Sequence, residues 1–368
     1  MILKKNAGIV RKSPKFLIIN PFGIGDVLFT TPVVKALKTH YPESFIGYWS
    51  NIRVKPVLKD NPDINTVFTG NRGDLKKIYR QSFLKGLRYN ARLLWNIKKE
   101  HFDICLDFSL DHRYSFLAKL IGIKKRIGFN YKERGRFLTD RIDLASYEEK
   151  HVIEYYLGLL KFLDISAEDK SMVLAVSAAS QAKAKSMLAA YGIKNSDLVV
   201  GIAPGAGGSW GKDASYKHWP VLNFVKFADM LINQLKAKVI ILGDESERAI
   251  SDTITANMIN KPIDLVGRTD LEILPAIIKS CSLLVTNDGG PMHMAVALGI
   301  KSVSVFGPVS ENVYGPFPSE NKHAVLKRDI ACRPCYKNFR LPACDKDREC
   351  LKSVSVDEVF QASCILLR

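Results

Sequence analysis

The 368-residue chain has no apolar run near the roughly 20 residues needed to cross a bilayer, which argues against a membrane-spanning helix. Its opening stretch, MILKKNAGIVRKSPK, carries basic side chains but no apolar core and no small-residue cleavage site. A secretory signal is therefore not expected, and a cytoplasmic location is. No short tandem repeat is visible, so a solenoid is not expected either. Without export, the seven cysteines do not point to a disulfide framework. Acid is scarce where base is abundant: residues 1–165 hold 30 Lys and Arg against 16 Asp and Glu, and residues 166–368 hold 24 against 21. Nearly all of the net charge of +17 thus lies in the first half, which suits nucleic acid, an acidic membrane surface or an acidic substrate, or is simply solvated surface. A basic, non-catalytic nucleic-acid-binding protein is the alternative to an enzyme. No recognisable nucleic-acid motif or aromatic stacking platform supports it, so nucleic acid is not the expected partner.

What is present is a repeated strand, glycine turn and helix. In Leu283 to Gly299, LLVTNDGGPMHMAVALG, the apolar run reads as a buried strand and Asp288, Gly289 and Gly290 as a turn. Pro291 suits the first helical position and Gly299 a left-handed C′, giving a helix of about two turns. Such a turn aims unpaired N–H groups and the positive helix end at one spot, which favours a phosphate. A carboxylate there, Asp288, accepts hydroxyl hydrogen bonds instead; the plain alternative is a βα turn with a capping Asp. The N-terminal counterpart is Phe16 to Ile19 followed by NPFGIGDVLFTTPVVKALKTHYP, with a Gly23 to Asp26 turn that presents Asp26 at the strand's carboxyl edge. It is not a dinucleotide fingerprint: Phe29 stands where the third glycine belongs, and the strand Phe45 to Trp49 ends in Ser50 and Asn51 rather than an acid.

Further strands are expected at Thr66 to Phe68, Ile104 to Phe108, in LVVGIAPGAGG from Leu198, at Val239 to Leu242 and at Val303 to Phe306. This α/β pattern implies two Rossmann-like, doubly wound domains facing across a cleft. Their expected limits are 1–165 and 196–355, with a linker at 166–195 and a terminal helix at 356–368 that packs back across the domains. Leu75 to Lys99 reads as one basic amphipathic stretch, either a packed helix with a solvated basic face or one that rests on an anionic membrane. Lys124, Lys125, Arg126, Arg134 and Arg136 crowd near one loop and suit phosphates or carboxylates. Cys332, Cys335, Cys344 and Cys350 supply four thiols, the first pair at zinc-ligand spacing and the second pair wider, for a structural zinc or as free thiols.

Together these pieces resemble the heptosyltransferase family of bacterial glycosyltransferases. FGIGDVLFTTPVVKALKTHYP, KKRIGFN with RGRFLTDR, APGAGG with KHWP, VIILGDESE, and LVTNDGGPMHMAVALG with VFGP stand in the family's order over nearly the whole chain. The resemblance implies the GT-B fold, with the acceptor on the first domain and the sugar nucleotide on the second. It further implies inverting transfer of a heptose from ADP-heptose to a lipopolysaccharide core acceptor, with no cofactor or metal required. Relatives using another nucleotide sugar are the alternative. By the same resemblance Asp26 is the general base, Lys217 binds phosphate with Lys212 as a nearby substitute, and Glu245 accepts from the ribose. Asp288, Gly289, Gly290 and His293 contact the donor, and the Gly205 to Gly208 loop adds N–H groups. Gly25, with the basic cluster, belongs to the acceptor side. The acceptor is an anionic, lipid-linked saccharide, met at the cytoplasmic face of the inner membrane.

Overall fold

The computed structural model describes residues 13–70, 72–206 and 208–368, except that Arg72, Asp74, Leu75, Lys77, Tyr79, Gly208, Ser209 and Lys212 are described in backbone only. The chain divides into two compact units. One holds the segment ending at Phe22, Phe29–Ala145 and Ile153–Lys170; the other holds Gly23–Leu28, Ser146–Val152 and Ser171–Arg368. Thus the short segment after the first strand, which contains Asp26, groups with the second unit.

The first unit is built on β1 (Lys15–Ile19), β2 (Phe45–Ser50), β3 (Thr66–Thr69), β4 (Ile104–Asp107), β5 (Lys125–Tyr131) and β6 (Asp140–Leu144), in the order β3-β2-β1-β4-β5-β6. The second is built on β7 (Val199–Ala203), β8 (Lys238–Ile241), β9 (Ile263–Asp264), β10 (Leu283–Asn287), β11 (Ser302–Val305) and β12 (His323–Leu326), in the order β12-β11-β10-β7-β8-β9. Every pairing is parallel. Both sheets therefore have the doubly wound Rossmann order, each reversing beside its first strand, where carboxyl ends leave a crevice for a ligand. The two Rossmann-like domains expected from the sequence are present.

The central strands are apolar and buried because helices cover both faces: Phe16, Leu17, Ile18 and Ile19 in β1, and Leu283, Leu284 and Val285 in β10, expose nothing. The helix Gly290–Ala297 starts with Pro291 in its first turn and is followed by Gly299 at φ 69°, as the sequence requires. The basic stretch is two helices, not one. Ser82 is extended and its hydroxyl accepts the Lys85 N–H, ending Arg72–Gln81 and capping Phe83–Lys99. The terminal helix Val356–Leu367 buries Val359, Phe360 and Leu366 in the second unit's core with Trp219 and Leu351. The 166–195 region contains the helix Ala178–Ala190, capped by Ser177.

Candidate active site

The site forms where the loops after β7 and β10 meet the segment that carries Asp26. Asn287, the fully buried last residue of β10, holds it together. Its amide donates to the carbonyls of Pro204 (2.6 Å) and Gly205 (3.3 Å), and its Oδ1 accepts the Trp219 N–H (2.9 Å). One side chain thus ties the β7 turn to the segment bearing Lys217. A Cβ on Gly289 would sit 3.4 Å from the Ala206 carbonyl oxygen, so the two loops lie against each other.

Lys217 is buried, with Nζ 2.7 Å from Asp288 Oδ2, each side chain 5% exposed. The ammonium also lies 4.3 Å from the centroid of the Trp210 ring. A buried ion pair is costly to desolvate and is weak evidence for stability, so its position at a ligand edge is the informative fact.

Asp26 was expected in a turn, but the helix Ile24–Phe29 begins before it. Its carboxylate reaches back to accept the Gly23 N–H at 3.1 Å, a capping contact from within the first turn. Although the residue as a whole is only part-buried, loss of water around the carboxyl raises its pKa to about 6, against the lowering effects of the Gly23 N–H and the charge of Lys217. Ile24 and Gly25 lie against the helix Gly290–Ala297: a Cβ on Gly25 would come within 2.7 Å of the His293 ring, and one on Gly290 within 3.1 Å of Ile24. His293 is buried, and desolvation, aided by His151 and Lys217, lowers its pKa to about 3. It is a neutral imidazole at physiological pH.

Four neighbours carried no sequence signal that singled them out. Burial first, then the charges of Tyr336 and Asp26, pushes the Tyr314 phenol far above its ordinary range, so it stays protonated beside the carboxylates. His151 is buried, its Nε2–H donating to the Gly315 carbonyl (3.1 Å) and its ring stacked on Phe317 at 4.5 Å. Trp210 and Tyr336, with ring centroids 4.9 Å apart, add an aromatic wall.

Other expected residues fall differently. Glu245 projects outward with its side chain 76% exposed, 3.9 Å from Arg248. It is Glu247 that lies on the β7 turn: a Cβ on Gly205 would meet its Oε1 at 1.6 Å, and its Oε2 accepts the Asp244 N–H. The Lys212 side chain and Gly207 lie outside the described residues. The basic cluster runs along β5 and the turn that follows it. Lys124, Lys125 and Arg126 stand at the strand's amino end, where Lys125 donates to the Phe162 carbonyl (2.5 Å) and Arg126 to those of Ile123, Lys124 and Phe137. Arg134 follows its carboxyl end, with its guanidinium 5.6 Å from the Tyr131 ring, and Arg136 lies 4.9 Å from the Phe137 ring. The chain turns back after Arg134, so Arg126 and Arg136 both reach Phe137, one at its carbonyl and the other at its ring, while Arg134 stays at the far end of the strand. The thiols of Cys332, Cys335, Cys344 and Cys350 line one cavity of about 270 Å³. Cys335 Sγ donates to the Cys332 carbonyl, and Cys344 Sγ accepts the Arg348 N–H. Among the described residues no three such groups stand close enough to hold a metal, so of the two alternatives, structural zinc or free thiols, zinc finds no ready ligand set here.

A family model for glycosyltransferase family 9 (heptosyltransferase) matches residues 90–341. The chain belongs to that family. It is similar to lipooligosaccharide heptosyltransferase 2 of Campylobacter jejuni, 27% identical over 362 residues covering 96% of this chain and 98% of the relative. Among solved structures it resembles a glycosyl transferase family 9 protein of Veillonella parvula, with TM-score 0.81, 23% identity and coverage of 98% and 99%. It also resembles the ADP-heptose lps heptosyltransferase II of E. coli, with TM-score 0.75, 20% identity and coverage of 96% and 98%. The shared fold is the two-Rossmann GT-B arrangement of the heptosyltransferases. In this heptosyltransferase-family chain, β7, β10 and most of the site segments fall inside the matched region, whereas Asp26 precedes it.

Proposed function

We propose that the protein transfers a heptose from ADP-heptose to an anionic, lipid-linked saccharide of the lipopolysaccharide core, with inversion at the anomeric carbon. The observation that carries this reading is a desolvated Asp26 carboxyl, its pKa raised to about 6, within electrostatic reach of buried Lys217 and its partner Asp288. Asp26 removes the proton from the acceptor hydroxyl as that oxygen bonds to the anomeric carbon. The bond from that carbon to the diphosphate breaks, and the electron pair leaves on ADP. Lys217 and the N–H groups at Gly289 and Gly290 stabilise the charge that builds on the leaving group. Asp288 orients Lys217 and accepts from a sugar hydroxyl, while Glu247, on the Gly205 turn, is better placed than Glu245 for the ribose. With the leaving group neutralised in this way, the reading needs no divalent metal, and turnover in excess EDTA checks it.

Support comes from the family assignment together with the name of the E. coli structure. On this reading the protein works at the cytoplasmic face of the inner membrane. In the test, Asp26→Ala abolishes transfer while ADP affinity, measured by calorimetry, changes little. A variant that keeps half its turnover would remove Asp26 from the role. A thermal-shift panel of ADP, UDP, GDP, NAD and the matching nucleotide sugars fixes the donor. Preference for UDP or GDP would replace ADP-heptose with another nucleotide sugar.

A further inference from the structure

The helix Phe83–Lys99 has two apolar stripes. Gly86, Leu93 and Ile97 face inward, Leu93 and Ile97 joining Leu17, Ile19 and Cys105 in the first unit's core. On the opposite side Leu84, Leu87 and Trp95 are 66%, 52% and 57% exposed. At 100° per residue these three, with Ala91 between them, fall in one outward stripe. Arg88, Lys99, Arg92 and Lys85 run along one margin of the stripe and Lys98 lies within it, the helix contains no acid, and the Lys99 ammonium lies 5.3 Å from the Trp95 ring.

The helix His112–Leu120 contributes Ala118 to the same core cluster and so covers the same face of the sheet. Its Phe116 and Leu120 are also exposed. Beside them Lys119 and Arg136 bracket the Phe137 ring, which packs on Phe116 at 5.0 Å.

We infer that this two-helix face docks the protein on an anionic lipid bilayer. Leucine and tryptophan bordered along one side by lysine and arginine is the pattern of a helix lying in a membrane interface. A second copy is disfavoured, since a self-paired face would bring the same cations together. Nucleic acid would be met by cations and stacking rings without an aliphatic centre. Position agrees: Tyr89 Oη donates to the Thr69 carbonyl at the end of β3 (2.9 Å), so the turns carrying Leu84 and Leu87 extend past the strands' carboxyl ends. That edge of the first sheet is where such folds take ligands. The inference rests on the reading of a lipid-linked acceptor, whose sugar would then be presented at the surface the protein sits on.

The test is co-sedimentation of the full chain with phosphatidylcholine vesicles, with and without about one third phosphatidylglycerol. Binding to the anionic vesicles is expected, weakened by salt, with brominated lipid quenching Trp95 fluorescence. Leu84→Ser/Leu87→Ser/Trp95→Ser and, separately, Arg88→Gln/Lys98→Gln should each lose at least about tenfold in partitioning. Both should keep the wild-type circular dichroism and the wild-type turnover on a deacylated, soluble acceptor. Equal binding to both vesicle types, variants that bind as wild type does, or retention on duplex DNA with none on vesicles would overturn the inference. So would a dimer that the apolar triple variant dissolves, in the absence of vesicle binding. Turnover on the soluble acceptor without vesicle binding defeats docking alone, whereas vesicle binding without turnover on any acceptor defeats the transfer reading alone.

Discussion

The His293 ring lies so close to the Gly25 backbone that a Cβ at Gly25 would come within 2.7 Å of it. Only a hydrogen fits, and the next residue in the chain is Asp26. Gly25→Ala must therefore push the ring away or shift the helix Ile24–Phe29 with its carboxylate. Transfer should fall more than about tenfold, because misplacing a base by about 1 Å costs rate steeply. ADP affinity should change far less, and the circular dichroism spectrum should not change. Steady-state turnover and calorimetry on one preparation decide it; wild-type turnover in the alanine variant would show that this contact does not position Asp26.

The pH profile follows from the same carboxyl. Desolvation raises the Asp26 pKa to about 6, and a base works only when ionised, so turnover should rise with pH through about 6 and then level. His293, lowered to about 3, stays neutral across that range and adds no limb. Replacing it by Gln should leave the position of the limb unchanged while altering the rate. A limb near the ordinary carboxylate value of about 4 would mean that the working site is wet.

Lys217 is held between Asp288 and the face of Trp210. Lys217→Ala removes the cation and leaves Asp288 buried without it, so nucleotide affinity and stability should both fall, the latter by roughly 3 kcal/mol or more. Lys217→Ala/Asp288→Ala should recover much of the stability but none of the affinity. Calorimetric titration of ADP and thermal unfolding of all three proteins separate the two effects. An unchanged ADP affinity in Lys217→Ala would take the phosphate role away from this lysine.

The central strands were legible because burial on both faces demands unbroken apolar runs, as in β1 and β10. The outer ones were not. β6, DRIDL, alternates burial and carries three charges, β9 has only two residues, and no residue of β12 is fully buried. At the site, glycine turns at strand ends point to Asp26 and Asp288, and the family resemblance points to Lys217 and His293; the structure brings these four together. Asn287 gives no such signal, since an asparagine closing an apolar run looks like a turn residue; its three bonds join it to segments 68 and 83 residues away, which no local pattern encodes. Glu245 and Glu247 share one short acidic run, and only the fold decides which of them meets Gly205.

A second buried carboxylate lies in the first unit. Asp107 closes β4 beside β1, at the reversal of strand order, with its Oδ1 accepting the Ser109 N–H at 2.9 Å. Burial raises its pKa to about 7. Since the folded chain holds that proton more tightly than the unfolded one, whose carboxyl titrates near about 4, stability is full below about 4. It declines as pH rises to about 7, by an amount on the order of a few kcal/mol, and is level above. Asp107→Asn keeps an acceptor for Ser109 but cannot ionise, so it should remove this decline. Its unfolding midpoint relative to wild type should climb between mildly acidic and mildly alkaline buffer. A difference that stays constant with pH would mean that Asp107 ionises freely in the folded protein. If the variant is both more stable above neutrality and slower in transfer, the charge is retained for the acceptor rather than for the fold, the usual sign of a strained functional position.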